Sequence, residues 1–167
     1  LANAGVTTYH HNLESSRRFY PNVCTSHTYD DRVNTIKNAK AVGLNVCSGG
    51  IFGLGETIED RIDMALDLRI LDIHSVPINV LTPIPGTPFE NNEEVNPFEI
   101  LKTISIYRFI LPKSFLRYCG GRIKLGEHAK TGLRCGINSA LTGNFLTTTG
   151  TTIETDKKMI KELGYEI

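Results

Sequence analysis

Residues 46–57 read VCSGGIFGLGET. A cysteine closes an apolar run, and four glycines follow within positions 49–55. A buried thiol needs no glycines. Glycines this close together mark backbone that must approach something closely, or turn in ways that a Cβ forbids. A strand running into such a loop, with Thr57 as the cap of a following helix, is a strand-to-helix junction, and the pattern recurs in both directions along the chain.

Short apolar runs with β-branched residues lie at 5–10 (GVTTYH), 22–26 (NVCTS), 44–49 (LNVCSG), 75–81 (SVPINVL) and 115–119 (FLRYC). Helical spacing fills the gaps between them. Thr28 caps a helix with Tyr29, Val33 and Ile36 on one face. Thr57 caps the next, with Asp60 placed to complete a capping box and a stripe of Ile58, Ile62, Ala65 and Leu66. Asn96-Pro97 opens a third, with Pro at a tolerated first-turn position and Ile100, Ile104, Tyr107 and Leu111 aligned. Further helices are expected over 127–135 and over TDKKMIKELG, the latter ended by Gly164. A helix ending at Gly5 runs into the first strand. Repeated strand–helix units predict an α/β fold with a parallel sheet, and the 167 residues read as a single domain, 1–167.

Eighteen basic residues balance eighteen acidic ones. This neutrality argues against a nucleic-acid or membrane-surface role resting on charge. No apolar run is long enough to span a bilayer, and the opening residues lack the pattern of a signal peptide. None of the four cysteines forms a CxxC pair. Free or metal-bound thiols in a cytoplasmic setting are therefore expected rather than disulfides.

Polar residues collect where the strands end: His10, His11, Asn12 and Glu14, then Cys24 and His27, then Cys47, Asn79, and finally Arg117 and Cys119. In a parallel barrel, side chains at carboxyl strand ends converge on one mouth. His10 and His11 are adjacent on a strand and point to opposite faces, so no metal is assigned to them.

YHHNLESSRRFYP, TYDDRVNTIKNAKAVGLNVCSGGIFGLGET, VPINVLTPIPGTP and RYCGGR closely resemble the biotin synthases, members of the radical S-adenosylmethionine (radical SAM) superfamily, and the similarity runs over nearly the whole chain in family order. The resemblance implies a (β/α) barrel of the radical SAM type, with about five of its eight strand–helix units present. The CxxxCxxC motif that holds the family's [4Fe–4S] cluster does not occur here, and the family's first three strands would precede Leu1. The implied activity is sulfur insertion into dethiobiotin. A 5′-deoxyadenosyl radical from S-adenosylmethionine removes hydrogen, and an auxiliary iron–sulfur cluster, [2Fe–2S] or a variant, supplies sulfur. A reductant such as flavodoxin or ferredoxin and a homodimer are implied for the full-length enzyme. The rivals are a related radical enzyme with another substrate, and an inactive fragment that keeps part of the site. Five strands alone would leave two exposed edges, so this chain in isolation is expected to be inactive.

The resemblance assigns residues as follows. Gly49, Ile51, Gly53 and Glu56 fit the family's GxIxGxxE pattern, so Gly49, Gly50, Ile51, Gly53 and Glu56 are cofactor contacts; spacing alone also allows a tight strand–helix turn. Asn12 and Glu14 match positions for the cofactor's amino-acid and ribose portions, and Asn12 lies near substrate; from residue type alone both could cap a short helix. Asn79 matches a substrate contact, and could otherwise be a satisfied strand-end amide. Cys47 matches a ligand of the auxiliary cluster, and Arg117 matches its unusual arginine ligand and a possible substrate contact. Taken without the family, Cys47 would be an inert packing residue and Arg117 the partner of an acid. Cys119 and Cys24 stand where many members have Ser and an apolar residue. Cys24, Cys47 and Cys119 are thus expected to share the auxiliary cluster, with Arg117 a neighbour. Cys135 is expected to pack.

Overall fold

The computed structural model describes residues 1–144 and 150–166. Six strands make one parallel sheet: β1 (Thr8–His10), β2 (Asn45–Cys47), β3 (Gly50–Phe52), β4 (Ser75–Val80), β5 (Phe115–Tyr118) and β6 (Ser139–Ala140). Their order is β1-β2-β4-β5-β6. β3 follows β2 and pairs with the carboxyl end of β4, so the run before the glycine loop becomes two short strands. Parallel strands need crossovers. These are α1 (Tyr29–Ala41), α2 (Ile58–Ile70), α3 (Pro97–Ile110) and α4 (Ala129–Cys135), while α5 (Ile153–Glu162) ends the described chain.

The helix starts follow the sequence. Thr28 and Thr57 both form capping boxes, with Asp31 and Asp60, and Asn96 accepts from the Phe98 N–H with Pro97 in the first turn. Tyr29, Val33 and Ile36 of α1 are buried, as are Ile100, Ile104, Tyr107 and the flanking Leu111 of α3. On α2 the buried face is rotated from the expected stripe. Arg61, Met64, Ala65 and Leu68 face inward while Leu66 is exposed, because Arg61 is drawn in by an acidic partner beneath the glycine loop.

One face of the sheet is the apolar core. Phe52, Val76, Ile78, Leu116 and Tyr118 are buried, Phe52 lies edge-on to Tyr107 of α3, and the Tyr118 hydroxyl donates to the Ala129 carbonyl of α4. The alternating residues point to the other face. There, strand register aligns His10 with Cys47, Cys47 with Ser75, Pro77 with Arg117, and Ile51 with Asn79. A buried ion pair, Arg122 Nη2 to Asp156 Oδ2 at 2.8 Å, fastens α5 to the turn after β5.

The structure corrects the sequence at three elements. Residues 22–26 form no strand: a 3-10 turn at Tyr20–Asn22, with Pro21 in it, continues as Val23 and Cys24 N–H groups both donate to the Tyr20 carbonyl. Turned back on Tyr20 in this way, the segment is a loop leading to α1, and β2 rather than 22–26 pairs with β1. The helix expected over 127–135 is preceded by 3-10 turns at Arg122–His128, kinked at Gly126. β6 was not expected, since two residues, Ser139 and Ala140, carry no apolar run.

Candidate active site

The open face of the sheet carries two layers of candidate site side chains. The first surrounds Cys47, at the end of β2 and buried. Ser75 Oγ on β4 donates to Cys47 Sγ at 3.4 Å and accepts from Arg117 Nη2 on β5 at 2.8 Å. Arg117 Nη1 reaches Cys47 Sγ at 4.0 Å. Among the described residues no carboxylate pairs with Arg117. Burial by itself would raise the Cys47 pKa, but hydrogen bonds from His10 and Ser75 and the charges of His10 and Arg117 bring it below its ordinary value. His10 is raised in return, chiefly by its contact with Cys47. Cys119 follows β5 on the same side as Arg117. Burial pushes its thiol up to about 12, against the pull of the Arg117 guanidinium.

The second layer is the glycine loop and its neighbours. Gly49 has ordinary φ, yet a Cβ there would sit 2.2 Å from the Pro77 carbonyl oxygen, and one at Gly50 would meet the Glu14 oxygen at 2.5 Å. These two glycines let strands and loop pack together. Asn12 Oδ1 accepts from the Gly49 N–H at 3.1 Å, and the Glu14 backbone bonds both Gly49 and Ile51. Glu14 adopts φ +71°, left-handed backbone that a non-glycine residue adopts only under constraint. Burial raises its carboxyl pKa despite Arg32 on α1, whose Nη1 lies 4.0 Å away, and the Asn12 amide. Asn12 and Glu14 therefore cap no helix; they lie along the loop. Half-buried Ile51 stands beside Asn79 in register. The Asn79 amide joins the Gly50 carbonyl (3.0 Å) to the Gly120 N–H (3.1 Å), with one N–H and one lone pair to spare.

Glu56 turns inward. Its carboxylate accepts from the Gly53 and Leu54 N–H groups (2.9 and 2.8 Å) and from Arg61 Nε (2.8 Å), and Arg61 Nη1 donates to Thr103. The Glu56 oxygens hold the Gly53–Gly55 turn, where both glycines adopt positive φ.

Cys24 is the residue that the structure moves. Its Sγ lies 3.3 Å from Ser26 Oγ and 3.4 Å from His27 Nδ1, on the loop before α1 rather than at a strand end. Among the described residues no three His, Cys, Asp or Glu side chains converge as a metal-holding group, so Cys24, Cys47 and Cys119 do not form a ready-made ligand set. Cys135 is half-buried against the core, as expected. Ser75 and Arg32 escaped the sequence reading. Ser75 is four residues before Asn79 on one strand, a spacing that puts both on the same face; Arg32, on a helix, carried no such signal.

The donor chemistry of the first layer fits an iron–sulfur group. Cys47 has a lowered pKa and is faced by a guanidinium that no described carboxylate pairs with, and Cys119 follows two residues beyond Arg117. The second layer fits an adenosyl ligand: an acceptor carboxylate with spare lone pairs at Glu14, and the flat backbone and side chain of Ile51. This chain offers no ligand set for a [4Fe–4S] cluster of the CxxxCxxC type.

Comparison with known proteins agrees. Residues 1–68 match the Radical SAM superfamily, and residues 77–166 match the Biotin and Thiamin Synthesis associated domain. The chain is 95% identical over its full length to a biotin synthase of Fusobacterium nucleatum, of which it covers 46%, and 59% identical over 99% of its length to one of Campylobacter hominis, of which it covers 51%. It thus spans about half the length of the curated relatives it matches. Among solved structures, methylornithine synthase (PylB) aligns over 99% of this chain and 53% of its own, at TM-score 0.78 and 22% identity. HydG, a maturase of the [FeFe]-hydrogenase, aligns over 98% and 40%, at TM-score 0.79 and 17% identity. At these identities the two structures establish the fold alone: the parallel sheet is part of the α/β barrel that such enzymes share. Motif, fold and sequence converge, and the chain belongs to the biotin synthase family of the radical SAM superfamily.

Proposed function

We propose that the protein carrying this chain inserts sulfur into dethiobiotin to form biotin. The observation that carries the reading is the Cys47–Ser75–Arg117 line on the open face of a parallel sheet in a biotin synthase family member. When bound, S-adenosylmethionine supplies the radical that removes hydrogen from the substrate, and the auxiliary cluster supplies the sulfur. Cys47, with Cys119, would hold that cluster. Ser75 fixes the Cys47 thiol and the guanidinium relative to one another. Arg117 places positive charge against thiolate sulfur without adding a carboxylate that would compete for it.

Glu14 would accept from paired ribose hydroxyls, Asn12 would set the height of the loop through Gly49, and Ile51 would pack against the adenine face. Asn79 has one donor and one acceptor left for a neutral ureido ring, a better match than a charged side chain. Asn79 lies four residues beyond Ser75 on β4, so cofactor, substrate and sulfur source would follow one another along the same face. The test is conversion of dethiobiotin to biotin by the anaerobically reconstituted protein with S-adenosylmethionine and a flavodoxin or ferredoxin reductant. Biotin formation that falls at least tenfold in Cys47→Ser supports the reading. Cleavage of S-adenosylmethionine with dethiobiotin left unconsumed overturns it in favour of another substrate.

A further inference from the structure

Both backbone groups of Gly53 are held by side chains. Its N–H donates to Glu56 at 2.9 Å from within the loop, and its carbonyl accepts from Asn92 Nδ2 at 2.8 Å from 39 residues away. Asn92 lies in the segment 81–96 that joins β4 to α3. The same segment closes over Gly53 a second time. A Cβ at Gly53 would meet Val95 Cγ2 at 2.7 Å, so only a glycine lets Val95 approach. The segment is itself secured on both sides of Asn92, by Glu90 Oε2 accepting from the Gly86 N–H at 2.6 Å and by the Glu94–Lys124 ion pair. A cavity of about 410 Å³, lined among others by Gly53, Gly55, Asn92 and Val95, separates loop and segment elsewhere, so the contact is a point clasp.

We propose that Asn92 is a positioning residue for the adenosyl cofactor, resting on the reading of the 49–56 loop as its contact. Gly53 and Gly55 both adopt positive φ, and glycines lose the most conformational freedom when ordered. Glu56 fixes the Phe52–Gly53 peptide through the Gly53 N–H, where Ile51 and Phe52 enter the turn; Asn92 fixes the next peptide through the Gly53 carbonyl, where the chain turns towards Gly55. Without the clasp, part of the ordering would fall to the ligand at the moment of binding, which weakens affinity without removing any contact to it.

Equilibrium dialysis of labelled S-adenosylmethionine against the protein tests this. Asn92→Ala is expected to weaken binding about fivefold, the equilibrium equivalent of one net hydrogen bond. Asn91→Ala, at the exposed neighbouring position, is expected to change nothing, and Asn92→Gln, which keeps the amide donor, to stay within twofold. In turnover, KM for S-adenosylmethionine should rise in Asn92→Ala while kcat and KM for dethiobiotin hold. A general loss of folding would instead shift all three. Binding by Asn92→Ala within twofold of the unmodified protein overturns the inference while leaving the cofactor reading intact; no binding by the unmodified protein overturns both.

Discussion

Glu56 and Arg61 form an ion pair directly beneath the glycine loop, Oε1 to Nε at 2.8 Å, with their side chains 2% and 8% exposed. Two backbone N–H groups complete the carboxylate's shell and Thr103 takes a further guanidinium hydrogen, so the pair is satisfied as well as buried. Removing one member of such a pair leaves the other uncompensated, at about 3–5 kcal/mol. Glu56→Ala is therefore expected to lower the thermal midpoint strongly, by calorimetry or circular dichroism. A midpoint close to that of the unmodified protein, with cofactor affinity selectively lost, would mean that Glu56 touches the ligand after all.

Gly49 and Gly43 separate two reasons for a glycine. Gly43 adopts φ +82° with nothing within 4 Å of an added Cβ, so Gly43→Ala should cost only the left-handed strain, roughly 1–2 kcal/mol. Gly49 has ordinary φ but no room, with backbone oxygen 2.2 Å away. Gly49→Ala is expected to be the more damaging despite its permitted conformation, because β4 would have to shift. Urea denaturation of the two variants gives the order directly; the reverse order would contradict the packing described for β2 and β4.

Cys24 should be the most reactive thiol of the chain near neutral pH. A hydrogen bond from Ser26, backbone N–H groups of Ser26 and His27, and the Tyr20 hydroxyl stabilise its thiolate, outweighing the opposing effect of burial and bringing its pKa down to about 7. A lowered pKa means more thiolate at a given pH, so alkylation by iodoacetamide should reach half its maximal rate near pH 7. Cys119, held up at about 12, should stay unreactive over the same range in the folded protein. A Cys24 rate still climbing steeply above pH 8.5 would contradict this loop geometry.

Much of the fold was legible because parallel strand–helix units announce themselves by period and caps. Thr28, Thr57 and Asn96 mark helix starts that the structure reproduces, and Ile100, Ile104 and Tyr107 mark a face that it buries. The α2 stripe was misread because hydropathy does not register that an ion pair with Glu56 pulls Arg61 into the core. NVCTS reads as a strand by composition, yet Pro21 and the Tyr20 carbonyl hold its start in a tight turn, and β2 is the strand that pairs with β1. Moving that one element moves Cys24 with it. The Cys47–Arg117 proximity depends on two strands 70 residues apart in sequence, reachable only through the family resemblance, and Ser75 between them was visible only once β4 had a register.

The most direct measurement of the central claim is anaerobic iron–sulfide reconstitution of the protein, followed by iron and sulfide analysis and Mössbauer spectroscopy, with Cys47→Ser, Cys119→Ser and Cys24→Ser in parallel. Ligation of the auxiliary cluster by Cys47 requires its signal to disappear in Cys47→Ser; the signal should diminish or change form in Cys119→Ser and remain unaltered in Cys24→Ser, whose thiol belongs to the loop before α1. Full iron and sulfide content with an unchanged spectrum in Cys47→Ser would contradict it.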